Sequence, residues 1–223
     1  MACETYIRQV KPLPPDTELV TALRAGDRDA FAAMLDTWSA SMLRLARSFV
    51  STHASAEEVV QDTWLAVLKG LDGFEGRAAL KTWVYRILVN TAKKRGLAER
   101  RSMPWTSLLH QDEDHGPTID PARFQTDGAY PGHWREAPAA WPSPEGTALN
   151  LEIRQVITAV LDELPARQRA VLSLRDVTDH TAEEVCEMLQ ISAANQRVLL
   201  HRARAVVRER LADYLGDEKG ARP

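Results

Sequence analysis

The chain has 223 residues, 44% of them hydrophobic, and a formal net charge of −3. That is enough apolar material for one large or two small cores, and an acidic balance that excludes a protein gripping polyanions with its whole surface. The two cysteines, Cys3 and Cys186, show no C-x-x-C spacing, which argues against a disulfide framework or a zinc knuckle, and no apolar run approaches the roughly 18 residues of a membrane span. The expectation is a cytoplasmic, reducing setting without membrane insertion.

In chain order, residues 1–15 read as a mobile extension. Residues 16–101 contain few breakers and much helical periodicity. In "SAEEVVQDTWLAVLKGL", Ser55 and Glu58 stand in capping-box positions. Val60, Trp64, Val67 (or Leu68) and Leu71 then recur at three-to-four spacing as one apolar stripe. Opposite it lie Glu57, Gln61 and Asp62, which by composition alone form a solvated face. "GFEGRAAL" is a glycine-bearing loop. It leads into "KTWVYRILVNTAKKRGLAERR", a helix with Trp83, Ile87 and Leu88 turned inward. Beyond Asn90 its charge becomes strongly positive, with Lys93, Lys94, Arg95, Arg100 and Arg101 against Glu99.

Residues 102–148 hold seven of the twelve prolines and read as a linker. Trp105, Trp134 and Trp141 fit poorly with pure disorder; they dock on a domain or await a partner. His110, Asp112, Glu113, Asp114 and His115 imitate a metal cluster, but a proline-rich linker lacks the scaffold that fixes ligand geometry, and no metal is expected.

Residues 149–215 are helical again. "LDELPARQRAVLSLRDV" reads as two short helices broken at Pro165, and "HTAEEVCEMLQ" opens with a second capping box, Thr181 with Glu184. A turn at Gln190 and Ile191 follows, and Ser192 caps the next helix. Helix, short turn and helix fit helix-turn-helix geometry. From Ile191 to Leu211 five arginines face one glutamate. Leu200, Ala203, Val207 and Leu211 make the buried stripe, while Arg197, His201, Arg204 and Arg208 share another face. A local basic face on an acidic chain points to a polyanion site. Residues 216–223 read as a mobile tail. The fold class expected is all-α, with two small helical domains joined by a long Pro-rich linker and a basic helix on each.

The wording of both helical parts resembles the extracytoplasmic-function (ECF) group of bacterial sigma-70-family sigma factors. Residues 55–95 resemble their region 2, and residues 161–204 their region 4. The resemblance rests on the run Glu58 to Trp64, on Thr82 to Ile87 followed by Asn90, and on His201 to Arg204. It implies an RNA polymerase sigma factor that binds core RNA polymerase and promoter DNA and promotes transcription initiation. Glu58, Gln61 and Asp62 would then meet the clamp helices of the polymerase β′ subunit, and the second domain would meet the β flap. Arg77, Lys81, Asn90, Lys93, Lys94 and Arg95 would serve the −10 element, with Trp83 and Tyr85 either stacking platforms or core. Trp83 continues the apolar stripe and is placed in the core.

For the −35 element the resemblance implies Ser192, Asn195, Arg197, His201, Arg202, Arg204 and Arg208. Asn195 and Arg197 are the base-reading candidates; Arg204 and Arg208 would hold phosphates. Here the chain departs from the group's usual pattern: Leu199 replaces an arginine, Gln196 replaces a buried valine, and Gln190 stands where a turn glycine is frequent. An anti-sigma factor is implied as a partner. The acidic linker would pass near the polymerase active-site cleft and imitate nucleic acid in a basic channel. No cofactor is implied, and no nucleophile with an aligned base suggests an enzyme. The rival reading is a stand-alone helix-turn-helix regulator, which leaves the pattern from Ser55 to Arg101 unexplained.

Overall fold

The computed structural model describes residues 13–102 and 147–220, and every regular element among them is helical. The first domain holds α1 (Asp16–Arg24), α2 (Arg28–Ala46), α3 (His53–Gly70), a 3-10 turn (Leu71–Gly73) and α4 (Leu80–Ser102). The second holds α5 (Thr147–Glu163), α6 (Ala166–Leu172), a π turn (Ser173–Val177), α7 (Ala182–Leu189) and α8 (Ala193–Gly220). The linker tryptophans and the His110–His115 cluster lie outside the described residues. Among the described residues no group of His, Cys, Asp or Glu gathers as a metal set, and no helix is long and apolar enough to cross a membrane.

Local chemistry explains the helix starts. The Asp27 carboxylate accepts the Asp29 and Ala30 amides at 2.9 and 3.1 Å and caps α2. The cap of α3 differs from the expectation. Thr52, not Ser55, is the N-cap, accepting the Ser55 amide at 3.1 Å. Ser55 sits buried in the first turn and receives the Thr52 hydroxyl, because a threonine three residues upstream offers the same capping oxygen one turn earlier. The α3 stripe resolves in favour of Val67, 1% exposed, over Leu68, 47% exposed. Trp64 is the centre of the packing: it stacks on Trp38 and takes the edge of Phe31, arrangements favoured by the ring quadrupole.

Tyr85 is core and not a stacking platform. It is fully buried, with its hydroxyl 2.6 Å from Ser41 Oγ, and burial pushes its phenol up to about 12. Trp83 is half-buried against Phe74 and Gly70. Farther along α4, Gly96 lets the helix touch the chain at Phe49; a Cβ there would fall on the Phe49 carbonyl.

In the second domain the break at Pro165 and the capping box of Thr181 and Glu184 stand as expected. Gln190 closes α7 in the left-handed region, φ 59 and ψ 48. Ser192 Oγ accepts the Asn195 amide at 3.2 Å and caps α8. That helix continues to Gly220, past the expected end at residue 215, since Gly216 alone is too weak a breaker to stop it. The two domains also pack on one another: α2 touches the π turn and α4 touches α7.

Candidate nucleic-acid and partner interfaces

Three surfaces gather the residues singled out in the sequence. On α3, Glu58, Gln61 and Asp62 are exposed. Leu65, 53% exposed, and Leu68 continue the same face at helical spacing. The exposed face of α3 therefore sets an apolar pair beside polar side chains. Leu65 was not singled out in the sequence, and Leu68 was named only as the alternative to Val67 in the buried stripe; the available signal was an apolar residue off that stripe. Glu58 is also tied inward, 2.6 Å from the Arg95 guanidinium.

The second surface is the loop between the 3-10 turn and α4, with the α4 edge beyond it. Arg24 builds this loop. Its guanidinium donates to the carbonyls of Leu71, Asp72 and Phe74 at 2.6 to 3.3 Å. Asp16 accepts the Leu80 amide at 2.7 Å and anchors the start of α4. Gly76, at φ 73, permits the turn between these anchors. A cavity of about 590 Å³ opens between α1 and the loop, lined by Thr17, Arg24, Phe74, Gly76 and Arg77 among others. No short-range pattern announces Arg24, since its partners lie 47 to 50 residues away.

Of the cations assigned to this surface, Arg77 is exposed and pairs with Glu75. Lys81 is half-buried, and burial pulls its ammonium below the usual value while Asp179 opposes the shift. Asn90 and Lys94 are exposed. Lys93 donates to the Met188 carbonyl at 2.9 Å and is likewise lowered by burial. Arg95 bridges Glu58 and Glu99. Burial would raise Glu99, but hydrogen bonds from Ser55, Ser51 and Arg95 prevail and hold it at about 2. This carboxylate thus ties α4 to the start of α3.

The third surface is α8. Ser192, Asn195, Arg197, His201, Arg202 and Arg208 are all exposed, so the face predicted from spacing exists. Arg204, on the same face, forks onto Asp176 with bonds of 2.8 and 2.7 Å. Leu199, the replaced arginine, is 2% exposed and part of the core. Gln196 stays in the buried place of the usual valine at 2% exposure, and its side-chain nitrogen has no hydrogen-bond partner.

A helical domain with an exposed apolar-polar face and a loop cavity, joined to a helix-turn-helix with an arginine face, has the layout of a DNA-binding protein built from two helical modules. Comparison with known families places it further. Residues 34–102 match Sigma-70 region 2 and residues 154–206 match Sigma-70, region 4, together more than half of the chain. The ECF RNA polymerase sigma-E factor of Salmonella typhimurium is 28% identical over 192 residues, covering 86% of this chain and 92% of that protein. The RNA polymerase sigma-H factor of Pseudomonas aeruginosa is 27% identical over 200 residues, covering 90% and 95%. Among solved structures, the sigma factor RpoE in complex with the anti-sigma factor NepR from Bartonella quintana has the same fold, with a TM-score of 0.50 at 24% identity over 81% of this chain and 96% of that one. The chain belongs to the sigma-70 family, in its ECF group, and is an RNA polymerase sigma factor.

Proposed function

We propose that α3 docks on the β′ clamp helices of core RNA polymerase through Glu58, Gln61, Asp62, Leu65 and Leu68. The loop cavity beside Arg24 and the α4 edge, with Asn90, Lys93 and Lys94, then receive the −10 element as the duplex opens. A splayed base needs a pocket with hydrogen-bonding groups, and its backbone needs flanking cations. The second domain meets the β flap and lays α8 in the major groove of the −35 element, where Asn195 and Arg197 read bases and the more distant arginines hold phosphates. The polymerase performs the chemistry. The factor works in the cytoplasm, on the nucleoid when bound to polymerase, and is restrained by an anti-sigma factor.

The observation that carries this reading is the coexistence, on one chain, of the exposed apolar-polar α3 face and the arginine face of α8. A stand-alone regulator has no use for the first. The test is reconstitution with core polymerase and run-off transcription from a promoter library. The chain is expected to direct initiation that core alone cannot. Replacing Gln61 and Asp62 together by alanine is expected to reduce co-purification with core while helix content stays unchanged; undiminished co-purification assigns the docking face elsewhere.

A further inference from the structure

The outward face of α8 carries a large apolar side chain among its polar ones. Val198 is 47% exposed, and its neighbours one turn before and after, Ala194, Asn195, His201 and Arg202, are exposed as well. Residues three and four apart adjoin on a helix surface, so Val198 stands at the centre of that face. At about 3.6 residues per turn, the buried Gln196, Leu199, Leu200 and Ala203 fall on the opposite side. Neither polar base-reading candidate is so central: one turn on, Asn195 adjoins the buried Leu199 and Arg197 the buried Leu200. Ala193 and Ala194, both exposed, leave the first turn of α8 without bulk that would hold the helix away from base edges. A single exposed valine means little on an ordinary surface. At the centre of a groove-reading helix it decides which bases fit.

In the major groove every base pair shows hydrogen-bonding groups, and thymine alone adds an apolar one, its 5-methyl. Val198 has no side-chain donor or acceptor. Pressed on a guanine, adenine or cytosine edge, it strips water from a polar group and returns no hydrogen bond. Against a thymine methyl, both apolar surfaces leave water. We propose that Val198 is a specificity-determining residue of the −35 contact, reading the 5-methyl group of one thymine beneath the centre of α8. The inference rests on the −35 role of α8 given above. It adds an apolar reader to Asn195 and Arg197, and it makes the factor distinguish thymine from cytosine at one position. A methyl contact neutralises no phosphate and releases no counterion, so this part of the recognition is independent of salt, unlike that of the arginines.

The test uses holoenzyme assembled from the full chain and core polymerase, on a −35 element selected from the promoter library. Each thymine of that element, on either strand, is replaced singly by deoxyuridine, which differs only in lacking the methyl. At one position the replacement is expected to weaken binding about fourfold, the equivalent of one buried methyl group. In Val198→Ala the same replacement is expected to cost nothing further, which is the coupling a double-mutant cycle reads, and the slope of binding against salt is expected to stay as in the natural chain. The exposure of Val198 lets the alanine variant fold, and far-UV circular dichroism with a thermal melt verifies it. Val177→Ala, at an exposed valine outside α8, is expected to keep the full deoxyuridine effect. A −35 element in which no methyl matters overturns the proposal, as does a methyl whose loss costs Val198→Ala as much as it costs the natural chain. Scrambling the whole −35 element separates the two levels. If scrambling weakens binding while no methyl matters, Val198 is not a reader and the −35 role of α8 stands; if scrambling changes nothing, that role has failed and the proposal with it.

Discussion

At the scale of single residues, the turn between α7 and α8 carries a strain that one substitution relieves. Gln190 adopts φ 59, a conformation that crowds the Cβ of an L residue and costs roughly 1–2 kcal/mol, whereas glycine adopts it freely. The turn keeps this shape because the Gln190 and Ile191 amides both return to the Cys186 carbonyl, closing α7 in the left-handed way that many helices use. Gln190→Gly is expected to stabilise the second domain by about 0.5–1 kcal/mol once the greater unfolded-state freedom of glycine is subtracted. Denaturant unfolding of the full chain checks this. A loss of stability would show that the Gln190 side chain makes a contact that outweighs the backbone strain. The glycine usual at this place in the family and the glutamine found here are therefore alternatives with the same backbone, and the departure noted in the sequence leaves the helix-turn-helix geometry intact.

At the scale of elements, much of the fold was legible. The α3 stripe, the break at Pro165, the capping box of α7 and the Ser192 cap each depend on residues within one or two turns, and each is in place. The α3 cap was misplaced by one turn because Thr52 and Ser55 are chemically equivalent caps, and only packing of the buried Ser55 decides between them. Arg24 and Asp16 escaped notice because they act on the loop and on α4 from far away in sequence. On α8 the arginines share a face as expected but differ in what holds them. Arg204 is already bound twice by Asp176, and that hydrogen bonding raises its already high pKa further, so its removal disturbs the domain as well as any phosphate. Arg197 and Arg208 are the cleaner pair. Arg197→Ala, near the helix start, is expected to cost about 1–3 kcal/mol at one base position and to relax specificity there. Arg208→Ala is expected to weaken all −35 variants alike and to lower the salt slope by roughly 1. Holoenzyme binding to −35 variants over a salt series distinguishes them; uniform loss in Arg197→Ala moves base reading to Asn195 or His201.

At the scale of the molecule, the seam between the domains was invisible in the sequence. Its contacts pair residues such as Thr82 with Glu184, which lie 102 positions apart, and neither periodicity nor capping carries that information. The seam has a titratable centre in His180, only 3% exposed. Thr178 Oγ1 lies 2.8 Å from its Nδ1, and its Nε2 has no hydrogen-bond partner. Burial lowers its pKa from the usual 6.5; Lys81 acts in the same direction, while Glu184 and Asp179 oppose it. The Tyr85 ring packed on it stays neutral throughout, its phenol pushed up to about 12. A histidine lowered in this way binds its proton more readily when the chain is open or unfolded than when it is closed. The closed state is therefore unpenalised above pH 6.5 and loses ground as pH falls through that value, by the excess of protons bound in the open state. The carboxylates of the seam act elsewhere. Burial would raise Glu184, but hydrogen bonds from Thr181 and Thr82 hold it below 4.5, so its contribution is lost only at more acid pH. Between pH 6.5 and 5 the inter-domain fluorescence distance is expected to lengthen in the natural chain and to stay constant in His180→Gln, which keeps a polar side chain without the titration. A distance equally pH-dependent in both would place the proton-sensitive group outside the seam.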